Sequence, residues 1–283
     1  MKKIKLTTYA VLIMALFSVT VAAQTTETRN LSGFTKVAFG VPGNLNIRIG
    51  SEFKVVLEGN KDFLAEIETK ISDDRLNIKI KNVERGWFSG RGSKFNNEKV
   101  VVNITMPAIS SLSVSGSGNA EVFDSFKTGS LSLDLSGSGR LIVSNISGKD
   151  LSCKVSGSGN ININGNNSFD KVDLGISGSG RITLNNMLGE DLNCRISGSG
   201  NININGNGSF DKADISTSGS GGYSGESLKL ATAKVSISGS GKCNCYVSEV
   251  FNANVSGSGS ITYSGSPKVI DTKVSGSGKI RTN

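Results

Sequence analysis

Apolar and polar residues alternate along most of the chain, and the alternation continues through every Ser-Gly-Ser-Gly tetrapeptide. Around Ser156, apolar residues or glycine occupy the odd positions from Leu151 to Ile163, with serine, lysine and asparagine between them. Around Ser177 the same order falls on even positions, from Val172 to Leu184. Period-2 alternation is typical of a strand with one buried face. The pattern therefore predicts strands on both sides of each tetrapeptide.

The tetrapeptide is a regular internal repeat. It occurs nine times at nearly constant spacing, beginning at Ser115, Ser136, Ser156, Ser177, Ser197, Ser218, Ser238, Ser256 and Ser275. A series of flexible Gly/Ser linkers has a similar composition but would not keep the alternation in phase. Repeats of this length bury their apolar face only by stacking on one another. The sequence predicts an all-β, single-domain parallel β-helix (solenoid), with coils of about 20 residues and Ser-Gly-Ser-Gly corners.

Each repeat also contains a second, looser turn. Clusters of asparagine, glycine and serine at residues 165–168 and 206–209 favour bends between strands. At the Ser-Gly-Ser-Gly corner, both glycines are expected to face inward, where a narrow core leaves no room for a side chain. One coil is therefore expected to run as strand, glycine corner, strand and loose turn.

A finer pattern leaves two coil lengths open. The sequence Asn-Ile-Asn-Ile-Asn-Gly begins at Asn160 and again at Asn201, and Cys153 and Cys194 have the same separation. A coil of about 20 residues with similar alternate coils is favoured over a 41-residue coil with two similar halves. Coils of about 20 residues separate the two cysteines by about 9.6 Å, beyond the about 7 Å limit for a disulfide. The four cysteines are then predicted to be buried thiols.

Strands are also predicted before the first repeat. Alternation is clear at residues 37–41, 45–49, 76–80 and 100–106, and its phase does not change sharply before the repeats begin. We therefore expect one domain over residues 31–283, with residues 24–30 as a short exposed lead-in. Residues 62–71 fit a helical period only briefly.

The segment at residues 1–23 has the features of a cleaved signal peptide. Lys2, Lys3 and Lys5 precede an apolar stretch, and small residues end at Ala23. A membrane anchor is the alternative, but the apolar core is short for a bilayer span. The prediction is an exported protein in the periplasm, on the outer-membrane surface or outside the cell, with no transmembrane segment after cleavage. The remaining 28 basic and 23 acidic residues leave a net charge of +5 without a basic run, so no nucleic-acid partner is expected.

Several segments together resemble a known family. They are the Phe34-Thr-Lys-Val37 strand, the Val41-Pro-Gly-Asn-Leu-Asn-Ile47 segment, Leu76-Asn-Ile-Lys-Ile80, and the Met106 to Gly118 junction with the later Val-Ser-Gly-Ser-Gly copies. The chain is similar in these to the head GIN-domain family, labelled an auto-transporter adhesin and frequent in Bacteroidetes-type bacteria. The resemblance implies a secreted or envelope β-helix with no established activity.

The amino-acid composition excludes most known types of catalytic site. The chain has no histidine, which excludes Ser/His/Asp and Cys/His catalysis. The best-arranged acids are Asp170 and Asp173, repeated as Asp211 and Asp214, and as edge residues they are expected to be solvated. Cys243-x-Cys245 has no second ligand pair for zinc. We therefore expect that the protein is not an enzyme and that it has no catalytic residue, metal or cofactor. The alternative is an enzyme that acts on polysaccharides, a lyase or a hydrolase.

Two surfaces are candidates for binding. The first is a ladder of amide and guanidinium groups on outward strand positions, which could hydrogen-bond sugars or acidic groups. Its members are Asn160, Asn162, Asn164, Asn201, Asn203 and Asn205, with Arg140 and Arg181 between them. Its alternative is an ordinary polar exterior with amide–amide hydrogen bonds. The second is the aromatic and basic segment 83–99, with Arg85, Trp87 and Arg91. Its alternative is a cover over the end or seam of the coils.

These observations favour a non-catalytic envelope or secreted binding module of the adhesion type. The expected partner is a surface glycan or a protein. The alternative is a purely structural β-helix that associates with itself through its coil ends, because the ends of a β-helix carry strand edges that must be capped or paired.

Overall fold

The computed structural model describes residues 24–81 and 97–283. The predicted signal peptide at residues 1–23 lies outside the described residues. Before the repeats, the described residues form seven strands and one short helix: β1 (Thr25–Arg29), β2 (Lys36–Gly40), β3 (Gly43–Ile49), β4 (Lys54–Gly59), α1 (Lys61–Glu66), β5 (Ile67–Ser72), β6 (Arg75–Ile80) and β7 (Val100–Met106).

The repeat region continues the strands without a further helix in the described chain. Its strands are β8 (Ser111–Gly116), β9 (Asn119–Val122), β10 (Phe126–Lys127), β11 (Ser130–Gly137), β12 (Arg140–Ser144), β13 (Ile146–Gly157), β14 (Asn160–Asn164), β15 (Asn167–Gly178), β16 (Arg181–Asn185), β17 (Met187–Leu188), β18 (Asp191–Gly198), β19 (Asn201–Asn205), β20 (Gly208–Gly219), β21 (Gly222–Gly239), β22 (Lys242–Gly257), β23 (Ser260–Ser264), β24 (Val269–Ser275) and β25 (Lys279–Thr282).

The strands stack into a β-solenoid of about nine turns. The front sheet contains, in stacking order, β5, β6, β2, β8, β11, β13, β15, β18, β20, β21, β22 and β24. The back sheet contains β1, β4, β7, β3, β9, β12, β14, β16, β19, β21, β22, β23 and β25. The long strands β21 and β22 contribute to both. The predicted fold class is confirmed.

The register of the strands gives the coil length. Leu135 pairs with Val155, and Val155 pairs with Ile176, so these residues occupy one position on three successive coils, β11, β13 and β15. Each coil places a front strand and a back strand around a continuous apolar core, in which inward side chains such as Ile161 and Ile182 are fully buried. The shorter of the two coil lengths left open by the sequence is therefore confirmed.

The loose turn is more ordered than the sequence pattern predicts. In several coils it forms a third, short ladder, the side ribbon, made of β10, β17 and the first residues of β13, β15 and β20. Phe169 and Phe210 in this ribbon are buried, so it closes the third side of the core. The ribbon has too few residues per coil to show an alternating pattern, which is why the sequence predicts only a turn.

The two glycines of a stacked corner have different roles, as Gly178 and Gly180 show. Gly178 has a backbone φ of +120°, and a Cβ atom there would lie 2.6 Å from the carbonyl oxygen of Gly157 in the coil before it. A Cβ atom on Gly180 would lie 2.5 Å from the buried Val155 side chain. The expectation that both glycines face the core therefore holds for the second only. The first lacks a side chain because it faces the neighbouring corner along the stack.

The 41-residue pattern arises at the opposite corner. Asn145, Gly165, Asn186 and Gly206 stand at equivalent places in four successive coils, all with positive φ. The side chain of Asn145 extends over the next coil, where its Oδ1 accepts a hydrogen bond from the backbone N–H of Asn166 at 3.0 Å. A Cβ atom on Gly165 would collide with that oxygen. Asparagine and glycine therefore alternate from coil to coil, which doubles the period of the sequence without changing the coil length.

The N-terminal part departs from the regular coil. β1 and β4 run antiparallel to their neighbours, and β5 and β6 form a hairpin through Asp73 and Asp74. The hydroxyl and the backbone N–H of Thr35 donate to the Asp74 carboxylate, each at 2.7 Å, and these bonds hold the pKa of Asp74 below its usual value. Helix α1 is the short helical turn anticipated within residues 62–71, and β5 takes up the rest of that segment.

The segment at residues 24–30, expected as a short exposed lead-in, contains the first strand, and its alternate residues are exposed. Residues Thr25–Arg29 pair along their whole length with β4, and alternate positions are partly buried. The segment contains no apolar residue, so it has no hydrophobic pattern. Its threonines suit a strand, and the pairing depends on backbone hydrogen bonds.

The four cysteines are free and buried, as predicted. Cys153 and Cys194 occupy the same register position with Leu174 between them, so they are two coils apart. Burial raises the pKa of both thiols, and nearby carboxylates, Asp134 beside Cys153, raise it further. The thiols therefore stay protonated and act as small apolar core residues. Among the described residues, no helix has the length and apolar character required to cross a bilayer.

Candidate functional site

The predicted ladder forms a contiguous surface on the outside of the back sheet. Asn160, Arg181 and Asn201 occupy one register position on β14, β16 and β19. Asn162 and Asn203 occupy the position two residues further on, with a threonine between them. Because strands within a sheet lie about 4.8 Å apart, these groups repeat along the solenoid at that spacing. The structure thus brings the five residues together on one outward face.

The amide–amide hydrogen bonds considered from the sequence form at the edge of this surface. Asn185 Nδ2 donates to Asn164 Oδ1 at 3.1 Å, and Asn205 Nδ2 donates to Asn185 Oδ1 at 3.4 Å. Within the described chain, the side chains of Asn160 and Asn203 make no such bond, and the same is true of Asn162, Arg181 and Asn201. The ladder is therefore divided into an edge of hydrogen-bonded amides and a set of polar groups without amide–amide bonds among the described residues.

The second predicted surface, the aromatic and basic segment 83–99, lies largely outside the described residues. Arg85, Trp87 and Arg91 lie outside the described residues. Whether this segment contacts a partner or covers the end of the coils therefore stays a prediction.

The front sheet carries an open groove that the sequence did not indicate. Its volume is about 640 Å³ and it runs across six coils along the outer face, next to the Ser-Gly-Ser-Gly corners. One side is a column of serines with one hydroxyl per coil: Ser156, Ser177, Ser197, Ser218, Ser238 and Ser256. Short outward side chains leave the backbone accessible between the coils, which makes the face concave.

Two cations flank a glycine on the other side of this groove. Lys154, Gly175 and Arg195 occupy one register position on β13, β15 and β18, two residues before the serine column. Lys154 and Arg195 are exposed and form no ion pair with any described residue. No carboxylate among the described residues lines the groove. Its local charge is therefore positive.

A second groove of about 440 Å³ extends the first toward the N-terminal coils. The two share Lys154 and Ser156. The charges in the second groove are largely engaged: the Ser132 hydroxyl donates to Asp134 at 2.9 Å, and Lys79 lies 3.2 Å from Glu68. The uncompensated positive charge is thus concentrated in the larger groove.

The acidic residues considered for catalysis lie apart from one another. Asp173 and Asp214 share a register position with Asn193 between them, which separates them by two coils, about 9.6 Å. Asn193 Nδ2 donates to Asp173 at 3.0 Å, while Asp170 and Asp211 are exposed near the side ribbon. In the part of the chain that the structure describes, no three acidic, cysteine or histidine side chains lie together in a way that could hold a metal ion.

Comparison with known proteins identifies the family. The family model described as "Putative auto-transporter adhesin, head GIN domain" matches residues 33–206 and again residues 163–267. The chain belongs to the head GIN-domain family. The two matches overlap at residues 163–206, within the repeat region. No curated protein sequence matches the chain.

Solved structures share this fold at low sequence identity. A "putative adhesin" from Parabacteroides merdae has a TM-score of 0.70 and 19% identity, covering 92% of this chain and 96% of its own. A "putative lipid binding protein" from Parabacteroides distasonis has a TM-score of 0.69 and 20% identity, with coverage of 92% and 96%. A second "putative adhesin" from P. distasonis has a TM-score of 0.65 and 19% identity, with coverage of 93% and 98%.

For this head GIN domain, the sequence pattern marks the back-sheet ladder but not the front groove. The back-sheet ladder was visible because asparagine recurs at fixed spacing. The outward residues Lys154, Gly175 and Arg195 recur at the same spacing but differ in type, so no motif marks them. The available signal was their common distance of two residues before each Ser-Gly-Ser-Gly.

Proposed function

We propose that this head GIN domain is a non-catalytic binding module of the cell envelope or of the secreted fraction, and that it contacts a surface glycan through the front sheet. The observation that carries the proposal is the groove of about 640 Å³ with its column of serine hydroxyls. The family description and the names of the related structures support a binding role, and the predicted signal peptide supports export. No catalytic residue or cofactor enters the proposal.

The solenoid suits binding of an extended partner. Each outward side chain is attached to a strand that pairs on both sides, so the binding groups are held in position before a ligand arrives. Preorganisation of this kind lowers the entropic cost of binding. The groups repeat about every 4.8 Å along the stack, a spacing similar to the advance of one sugar in an extended polysaccharide. A linear glycan therefore fits this face better than a compact ligand does.

The test is glycan-array binding by the purified protein and by a variant with a filled groove. Gly175→Phe places a ring in the groove, and its Cβ atom would meet only the Lys154 side chain, at 3.7 Å. We expect array signals from the parent and a loss of affinity of about tenfold or more in the variant, because the ring excludes the ligand.

Gly129→Phe is the matched control, since a Cβ atom at this exposed position meets nothing within 4 Å. It should bind like the parent. The proposal is wrong if the parent retains no glycan, or if both variants bind as strongly as the parent does.

A self-associating structural role is the second candidate, favoured by the last coil. Ile270 and Val274 continue the inward columns of Phe251 and Val255, yet they are 50% and 44% exposed. β24 has no described strand on its outer side. An exposed apolar strand edge favours pairing with another chain.

Sedimentation velocity over a range of protein concentrations tests this second role. The parent should associate at micromolar concentration, and Ile270→Lys with Val274→Lys should be monomeric, because the charges oppose burial of the edge. The control is Asp271→Lys, which makes the same change in net charge on the outward face of the same strand. It should associate like the parent. A parent that is monomeric at every concentration contradicts this role.

A further inference from the structure

We propose that the front groove binds a linear acidic polysaccharide, with one acidic group of the polymer held over Gly175 between Lys154 and Arg195. This inference rests on the proposed function and deepens it, since it assigns the class of glycan and the residues that select it. It adds a charge requirement that a neutral glycan does not meet.

The cation pair has the geometry of an anion subsite. Lys154 and Arg195 are two coils apart, which separates their Cα atoms by about 9.6 Å. Gly175 lies between them and contributes no side chain, so the space above it is bordered only by the Lys154 side chain, 3.7 Å from the place of a Cβ atom. Two long basic side chains can therefore approach one carboxylate or sulfate from opposite sides. Arginine adds two parallel donors that match the geometry of such a group.

The surrounding charges leave this pair available. Asp134 is the register neighbour of Lys154 on the N-terminal side, but Ser132 donates to its carboxylate and it lies outside the larger groove. Asp173 belongs to the next outward column and accepts a hydrogen bond from Asn193. Neither carboxylate forms an ion pair with the two cations among the described residues. A ligand anion would thus supply the missing counter-charge.

The serine column suits the sugar part of the same ligand. It offers one hydroxyl per coil, and a hydroxyl can both donate and accept, as sugar hydroxyls do. Successive sugars of an extended polymer would meet successive serines while their acidic groups pass the cations. A lipid is a poorer occupant, because the groove is open to solvent along its length and would leave an acyl chain exposed to water.

Exposed ion pairs are individually weak and are screened by salt. Binding should therefore need both cations and should fall as ionic strength rises. The test measures the affinity of the purified protein for polygalacturonate at low salt, with dextran of similar length as a neutral comparison. Vesicles containing phosphatidylglycerol serve as an anionic lipid surface.

The critical variant is Lys154→Gln with Arg195→Gln. Its matched control is Lys242→Gln with Lys279→Gln, which removes the same charge from two exposed lysines that are also two coils apart, on the back sheet. We expect the dissociation constant for polygalacturonate to rise at least about tenfold in the groove variant and less than about twofold in the control. Dextran should bind far more weakly than polygalacturonate.

Three results overturn the inference. An equal loss in both variants would mean that net charge, and not the groove, determines binding. Absence of polygalacturonate binding by the parent would remove the ligand class, also where vesicles bind through Lys154 and Arg195. Polygalacturonate binding by the groove variant as strong as that by the parent would show that the two cations do not hold the acidic group. The proposed function has a separate outcome: array binding of neutral glycans that Gly175→Phe abolishes would sustain it while the acidic-polysaccharide assignment fails.

Discussion

Gly178 illustrates how a single backbone position determines whether the chain can coil. Its φ of +120° is a conformation that side chains disfavour, and the Gly157 carbonyl oxygen lies only 2.6 Å from the place of a Cβ atom. Gly178→Val should therefore both strain the backbone and force adjacent coils apart. We expect the free energy of unfolding, measured by urea denaturation, to fall by about 3 kcal/mol or more.

The control for this prediction is Gly129→Val, where a Cβ atom has open space and no positive φ is present. Its free energy of unfolding should change by less than about 1 kcal/mol. A Gly178 variant with the unfolding midpoint of the parent would show that the corner tolerates a side chain. In that case, the close stacking of Gly178 on Gly157 would not explain why this position is glycine.

At the level of elements, the stacked corners of neighbouring coils are energetically coupled. The Asn145 side chain fills the space that a Cβ atom on Gly165 would need. Gly165→Ala alone should therefore be destabilising by about 2 kcal/mol, from the collision and the positive φ. In the Asn145→Gly background the same change should cost less, because the collision is removed and only the backbone strain remains.

A double-mutant cycle in urea measures this coupling. We expect an interaction energy of at least about 0.5 kcal/mol in the stabilising direction. Additive effects of the two substitutions would contradict the explanation of the 41-residue pattern. That pattern would then need a cause other than asparagine over glycine.

The same elements show what a sequence can predict about this fold. Strands such as β14 follow from alternation, because one face is buried and the other is not. β1 has no apolar residue, and β17 has only two residues, so neither produces a pattern although both pair in the structure. The groove depends on Lys154, Gly175 and Arg195 in three different coils. Such a combination across coils follows from register, which a local pattern does not contain.

At the scale of the whole molecule, each coil contacts chiefly its two neighbours. An interior strand such as β16 pairs with β14 on one side and β19 on the other, whereas β24 pairs with β22 alone among the described strands. The free energy of unfolding of such a stack is approximately the sum of the stability of each coil and the stability of each interface between neighbouring coils. A coil with one interface should therefore open more often than a coil with two.

Native-state hydrogen exchange tests this gradient. The backbone amides of β24 should exchange at least about tenfold faster than those of β16, because opening the last coil breaks one interface and leaves the others intact. The protein should be kept dilute, so that association through the β24 edge does not protect it. Equal protection of the two strands would mean that the solenoid opens only as a whole. In that case the interfaces between coils, and not the coils themselves, would dominate the stability of the fold.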